Sequence, residues 1–191
     1  MVDGVMFPLV YSLLPGKDQP VYTRLLTLLL DACQNFNIRL QPTTLFLDYE
    51  VAIRNAATQV FPGINIKGCF FHYTQCIWRN AQKHGLQVPY KDNDDIRTLV
   101  RRAAVLPLLP PNTVEDVWFH ALEDIEDINI NIPTLPFTDY VTSYWVEGNR
   151  DLWNHYATEG PRTTNHLEGW HGKLKKLVKA PHPNIFNMVK L

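Results

Sequence analysis

The stretch LFLDYEVAIRNAATQVFPGINIKGCFFHYTQCIWR, residues 45–79, decides the fold. Its first three residues and the two threonines before them, Thr43–Leu47, are rich in residues that favour strands, and Asp48 follows at once. Apolar residues at helical spacing predict a helix over Ile53–Val60, and Ile64–Phe70 is again strand-like. A further helix is predicted around Tyr73–Ala81. This alternation of strands and helices indicates an α/β arrangement.

The flanking sequence extends the pattern in both directions. Before the stretch, Val5–Leu14 predicts a strand and Tyr22–Phe36 a helix. After it, helical spacing predicts helices over Ile96–Ala103 and Val114–Ile125. The middle of the chain is therefore expected to be helical.

The last third of the chain has weaker patterns. Asn129–Phe137 contains two prolines and is predicted to be a connector. The aromatic-rich segment Tyr140–Tyr156 is predicted to be helical in pieces. A final helix is predicted from about Thr164 to Val178, with Leu and Trp side chains on one face.

Composition narrows the class of protein. The chain has 191 residues, 46% of them hydrophobic, which is enough for a sizeable core and argues against general disorder. No apolar run approaches the roughly 18 residues of a membrane span, and no secretory signal is predicted. Three cysteines, an odd and low number, are typical of a reduced intracellular protein.

Charge is unevenly distributed, although the net charge is only −1. Residues 1–90 hold 7 basic and 5 acidic side chains, residues 91–160 hold 5 and 13, and residues 161–191 hold 6 and 1. The acidic middle is explained simply by a solvated helical surface. The basic tail is the segment whose charge favours a phosphate backbone.

Two features in the front half are candidates for chemistry. Asp48 follows a strand directly, and ligands of open α/β sheets bind at that edge. Asp48 could equally cap the helix that follows. Cys69 and His72 form a Cys-x2-His pair, but structural zinc needs four ligands and no convincing second pair is present. A buried thiol beside a hydrogen-bonded histidine explains that pair without a metal.

A third feature lies late in the chain, in TTNHLEGWH, residues 163–171. Asn165 with Glu168 three residues later is a helix-start signature, which by itself explains both residues. On such a helix, His171 and Lys175 share the face of Glu168. Glu168 is thus expected to be a carboxylate with cationic neighbours.

Together and in this order, these motifs resemble the Mutator-like element (MULE) transposases. Their pattern is a strand ending in Asp with Glu two residues on, then Phe-Pro, then Gly-Cys-x-Phe-His with a downstream Gln and Arg. A late Thr-Asn-x-x-Glu with a following His or Asn completes it. The matching residues here are Asp48, Glu50, Phe61-Pro62, Gly68–His72, Gln75, Arg79, Thr164-Asn165, Glu168 and His171.

The resemblance implies a ribonuclease H-like α/β fold with an all-helical insertion before its last catalytic helix. It implies DNA strand cleavage and transfer by three acidic residues that hold two Mg²⁺ or Mn²⁺ ions. Asp48 would be the second of these residues and Glu168 the third, while Cys69 and His72 would support the site.

One part of the family pattern is not matched. The family's first catalytic Asp lies in Asp-Gly-Thr-Phe, whereas Asp3-Gly4 is followed here by Val5-Met6. We therefore expect an incomplete ribonuclease H-like fold that lacks its first two strands, truncated at the N-terminus and inactive as given. The alternative is a domesticated or degenerate remnant that acts as a non-catalytic DNA- or protein-binding module.

The expected organisation follows from these assignments. Residues 1–90 are predicted to form a partial ribonuclease H-like core, residues 91–160 a helical insertion, and residues 161–191 the last catalytic helix and a basic tail that returns to the core. Lysines of that tail are predicted to bind DNA: Lys173, Lys175, Lys176 and Lys179. DNA is the expected partner, no membrane is expected, and a nuclear location is implied.

Overall fold

The structure is a computed structural model that describes residues 9–124 and 132–165, together with Gly169, Trp170, Gly172 and Lys176. Its front elements are α1 (Gln19–Asn35), β1 (Thr44–Leu47), α2 (Val51–Val60), β2 (Asn65–Gly68) and α3 (Phe70–Lys83). The two strands flank α2 in sequence and pair as a two-stranded sheet. All five elements lie where the sequence predicts them.

Local signals set the bounds of these elements. The Asp18 side chain accepts a hydrogen bond from the Val21 N–H at 3.0 Å and so caps α1, which has a proline in its first turn. After α2, Gly63 has φ +81°, a left-handed conformation that favours glycine and lets the chain turn into β2.

The predicted strand Val5–Leu14 is wrong for the part of it that is described. Residues 9–14 form no strand, and their apolar side chains are exposed, with Leu9 at 89%. A strand is stabilised by a hydrogen-bonded neighbour, and in the described part of the chain β1 and β2 pair only with each other. Composition favoured a strand here, but strand propensity alone does not supply that neighbour.

The helical middle of the chain contains α4 (Pro89–Asp92), α5 (Asp94–Val105) and α6 (Val114–Glu123), with a short 3₁₀ turn at Leu106–Leu108. The Asn93 side chain caps α5 by accepting hydrogen bonds from the N–H groups of two residues in its first turn, at 2.8 and 3.0 Å. The helices predicted over Ile96–Ala103 and Val114–Ile125 are confirmed within the described residues.

The aromatic-rich segment is helical in pieces, as predicted. At its first residue α7 (Leu135–Tyr140) ends, and a π-helical turn (Val141–Val146) and α8 (Arg150–Trp153) follow. The connector predicted up to Phe137 is wrong in its last residues, because α7 begins at Leu135. The proline there lies in the first turn, where its missing N–H removes no helical hydrogen bond. Residues 129–131 of that connector lie outside the described residues.

The chain divides into two compact units. The front unit contains the residues up to Asn65 and the described residues from Thr163 onward, and the helical unit is Ile66–Arg162. The predicted division at residues 90 and 160, and the ribonuclease H-like fold itself, stay predictions. None of the described helices is both long enough and apolar enough to cross a membrane.

The core of the helical unit is built from aromatic side chains. Tyr73 is fully buried, stacks on Trp153 with ring centroids 5.5 Å apart, and meets Trp145 edge-on at 4.5 Å. Its hydroxyl donates to the Ala103 carbonyl at 2.8 Å, which joins α3 to α5. Trp118 of α6 is also fully buried, and its indole N–H donates to the Thr142 hydroxyl at 2.8 Å.

Gly148, just after the π-helical turn, is a position where a side chain does not fit. A Cβ added there would overlap the backbone oxygen of Tyr144, which cannot move without shifting the turn. We expect Gly148→Ala to lower the free energy of unfolding by about 1–3 kcal/mol. Urea unfolding would measure this, with Gly16→Ala as the control, because no atom lies within 4 Å of a Cβ at Gly16. Equal stability of the two variants would contradict this account.

Candidate functional site

Asp48 lies at the carboxyl end of β1 and is exposed. Its Oδ1 accepts a hydrogen bond from the Glu50 N–H at 3.2 Å, which closes a local turn between strand and helix. Glu50, not Asp48, is the N-cap residue of α2, and its side chain makes no capping bond. The capping interpretation of Asp48 therefore holds only in this limited form, and its carboxylate stays accessible from solvent.

Tyr22 of α1 lies beside these carboxylates, because α1 packs against α2. Burial raises the pKa of the Tyr22 phenol, and a hydrogen bond to the Glu50 side chain raises it further. The negative charges of Glu50 and Asp48 act in the same direction. The phenol therefore stays protonated at neutral pH beside the two carboxylates.

The structure describes only part of the late motif, residues 163–171. Glu168 and the lysines at 173, 175 and 179 lie outside the described residues, so the predicted convergence of Asp48 and Glu168 stays a prediction. Lys176 is described and is exposed. Within the described part of the chain, no three His, Cys, Asp or Glu side chains are grouped so that they could hold a metal ion.

Cys69 and His72 lie at the start of α3. Cys69 is the N-cap residue of α3 and is fully buried. His72 is half-buried, and its ring meets that of Phe71 edge-on at 5.7 Å. Asp48 belongs to the front unit and this pair to the helical unit, so a supporting role at the Asp48 edge stays a prediction.

His155 is a buried residue that the sequence analysis did not single out. Its Nε2 lies 2.8 Å from the Gly68 carbonyl oxygen, and its Nδ1 lies 3.2 Å from the Thr158 hydroxyl. A carbonyl oxygen only accepts, so Nε2 carries the proton and Nδ1 accepts from Thr158. Nothing in the sequence around a single histidine indicates a partner 87 positions away.

Further bonds join the same two segments. The Lys67 ammonium donates to two backbone carbonyls at the end of α8. These are the carbonyls of Asp151, at 2.7 Å, and of Asn154, the C-cap residue, at 3.2 Å. The Phe70 N–H donates to the Arg162 carbonyl at 2.9 Å. We call these bonds and the His155–Gly68 bond the corner clasp, because they hold the corner between β2 and α3 where Cys69 lies.

The clasp makes stability depend on pH. Burial lowers the pKa of His155, the bond to Gly68 opposes this, and the charges of Lys67 and Arg162 lower it further. The unfolded chain binds a proton at about pH 6.5, whereas the folded chain does so only at lower pH. The contribution of His155 to stability is therefore fully present above about pH 6.5 and is lost as the pH drops through that value, until the folded-state pKa is reached.

We expect His155→Gln to flatten this acid-side loss, which urea unfolding between about pH 7 and about pH 5.5 would measure. His120→Gln is the matched control. His120 is exposed, and a hydrogen bond from its ring to the Asp116 backbone oxygen and neighbouring carboxylates raise its pKa, so it contributes with the opposite sign. An unchanged acid-side slope in His155→Gln would refute the assignment.

Comparisons with known proteins give one match. Residues 2–76 match the family model of the MULE transposase domain. No curated protein and no solved structure matches the chain. The matched range includes Asp48, Glu50, Cys69 and His72, and it ends at Cys76 in α3.

Proposed function

We propose that the chain contributes a divalent-metal site for DNA strand cleavage and transfer, because residues 2–76 match the family model of the MULE transposase domain. Asp48 and Glu168 are the proposed metal ligands, and Mg²⁺ or Mn²⁺ the proposed ion. The single observation that carries this is the position of Asp48, exposed at the carboxyl end of β1 within the matched range.

The residues present fit such an ion in their chemistry. The Asp48 carboxylate is accessible, and the neighbouring Glu50 adds a second set of carboxylate oxygens, the ligands that Mg²⁺ prefers. When bound, paired divalent ions lower the pKa of an attacking water or 3′-hydroxyl and stabilise both oxygens of an in-line displacement. The chain itself holds Asp48 through the Glu50 N–H, and the Tyr22 phenol lies beside both carboxylates.

The 191-residue chain by itself is expected to bind DNA without cutting it. The sequence has Asp3-Gly4 followed by Val5-Met6, not the Asp-Gly-Thr-Phe of the family's first catalytic motif. A site short of one carboxylate lacks both a ligand and the negative charge that holds Mg²⁺ against its hydration shell.

The test is nicking of supercoiled duplex DNA by purified 1–191 in Mg²⁺ or Mn²⁺. An Asp48→Asn, Glu168→Gln double variant is measured beside it, and Asp139→Asn, an exposed carboxylate of the helical unit, is the matched control. We expect no nicking by any of the three proteins, and DNA binding by all of them.

Nicking that the double variant loses and the control keeps would support the assigned ligands. It would also show that another carboxylate, Asp3 or Glu50, completes the site in this chain. Nicking that survives in the double variant would refute the assignment of Asp48 and Glu168. Failure of 1–191 to bind duplex DNA even at low salt would contradict the proposed action on DNA.

A further inference from the structure

A groove in the helical unit is lined by residues of α3 and α5 and by Tyr90 of α4. Its volume is about 400 Å³, within the range of small-molecule sites. Aromatic, apolar and polar side chains line it, among them Phe71, Gln75, Trp78, Tyr90, Val100 and Arg101. Gln75 belongs to the motif that the family resemblance singled out, and neither the proposed metal site nor the corner clasp uses it.

Two aromatic rings form part of the groove wall. Trp78 and Tyr90 meet edge-on with ring centroids 4.9 Å apart, and both are only half-buried. They therefore differ from the fully buried Trp118 and Trp153 of the core. A half-buried indole in a groove offers a flat surface on which a planar ring can stack.

One cation, Arg101, lines the groove, although the groove lies partly in the acidic middle of the chain. Helix α3 contains Arg79 and Lys83 and no acidic residue, and after Asp95 helix α5 contains three arginines and no acidic residue. Two of those arginines, Arg97 and Arg102, form ion pairs with aspartates. Arg101 is exposed at the groove and forms no ion pair with any residue that the structure describes. Its charge is therefore available to an anion.

We propose that this groove binds an unpaired nucleotide of a DNA strand, with the base against Trp78 and Tyr90 and the phosphate on Arg101. The Gln75 amide, which both donates and accepts hydrogen bonds, would meet the polar edge of the base. Stacking on aromatic side chains together with a cation for the backbone is the general arrangement of single-strand binding. The proposal rests on the proposed function in that it takes the ligand to be DNA.

Duplex DNA is not expected to bind in this groove. Bases in a duplex stack on their neighbours, so a base reaches an aromatic wall only when it is unpaired or turned out of the helix. The groove therefore favours single-stranded over duplex DNA. The basic tail, which neutralises phosphates, is expected to bind both forms. The two contributions can be separated by the form of DNA used as the probe.

The experiment measures fluorescence anisotropy of a labelled oligodeoxythymidine of about 12 nucleotides, free and annealed to its complement, with purified 1–191. Trp78→Ala and Arg101→Gln remove the stacking surface and the cation. Trp78→Phe keeps an aromatic ring. Arg39→Gln, at an exposed arginine of the front unit, is the matched control for charge. Circular dichroism establishes that each variant is folded.

We expect Trp78→Ala to weaken single-strand binding about tenfold and to leave duplex binding within about twofold. Arg101→Gln is expected to weaken single-strand binding about threefold, since it removes one phosphate contact. Trp78→Phe should restore most of the affinity, and Arg39→Gln should match the unaltered chain. If Trp78→Ala does not fold, Arg101→Gln at its exposed position decides the question.

Single-strand affinity unchanged in both Trp78→Ala and Arg101→Gln would overturn the proposal. The proposed function would survive that result if duplex binding persisted and depended on the tail lysines. Absence of binding to either form of DNA at low salt would overturn both. The two failures are therefore distinguishable in one set of titrations.

Discussion

A fourfold rise in salt, from about 50 to about 200 mM, is expected to weaken duplex-DNA binding about a hundredfold. The basic tail contains the four lysines predicted to bind DNA, Lys173, Lys175, Lys176 and Lys179. Each phosphate that a lysine neutralises releases a condensed counterion, so the logarithm of affinity falls with the logarithm of salt by about 0.9 per contact. Four contacts give a slope of about −3.6, which corresponds to the expected loss.

Replacing all four lysines with glutamine should reduce that slope to near zero. Glutamine keeps the side-chain length roughly constant and removes the charge. The control replaces Lys17, Lys83 and Lys91, which are exposed elsewhere, and is expected to keep most of the slope. Anisotropy titrations of a labelled duplex at several salt concentrations provide the measurement. A slope unchanged in the tail variant would show that the tail does not carry DNA binding.

Tyr73→Ala is expected to lower the free energy of unfolding of the helical unit by about 3–5 kcal/mol. The change empties a fully buried aromatic position between Trp145 and Trp153 and removes the hydroxyl that donates to the Ala103 carbonyl. Urea unfolding followed by tryptophan fluorescence reports on this unit, because it contains Trp78, Trp118, Trp145 and Trp153.

Tyr73→Phe separates the two contributions. It keeps the ring and removes only the hydrogen bond, so we expect a loss of about 1 kcal/mol. A loss for Tyr73→Phe as large as that for Tyr73→Ala would show that the hydroxyl, not the ring, carries the stability. A loss below about 1 kcal/mol for Tyr73→Ala would contradict the assignment of Tyr73 to the core.

The elements that the sequence predicted well are those with a local cause. The helix over Gln19–Asn35 has an Asp cap, a first-turn proline and apolar residues at helical spacing, all within its own length. The α2 helix ends where a Pro-Gly pair stops it, and β2 follows the resulting turn. Such signals do not depend on the rest of the chain, so the alternation of helices and strands in the front part is readable from the sequence.

The features that the sequence missed depend on distant partners. Leu9–Leu14 has strand composition, but forming a strand also requires a neighbour, which composition does not encode. The α7 helix begins inside a segment whose two prolines suggested a connector, since a proline in the first helical turn is tolerated. The His155 ring is buried and hydrogen-bonded because the folded chain brings it to the Gly68 carbonyl, 87 positions away.

Part of the candidate site could be predicted from the sequence. A motif in the sequence pointed to Asp48, and the structure places it exposed at the end of β1. The position of Tyr22 beside Glu50 and Asp48 was not predicted, because helical spacing does not show which residues of another element a side chain meets. The groove between α3 and α5 was likewise hidden, since its wall combines Gln75 and Trp78 with residues of two other helices.

The central claim is that Asp48 and Glu168 share one divalent-metal site, and diffraction from crystals of 1–191 soaked in Mn²⁺ tests it most directly. We predict that the carboxylates of the two residues lie about 4–8 Å apart and that any anomalous peak from Mn²⁺ lies between them. Carboxylates more than about 15 Å apart, whether or not a peak is present, would contradict the claim, because ligands of one ion pair cannot lie so far from each other.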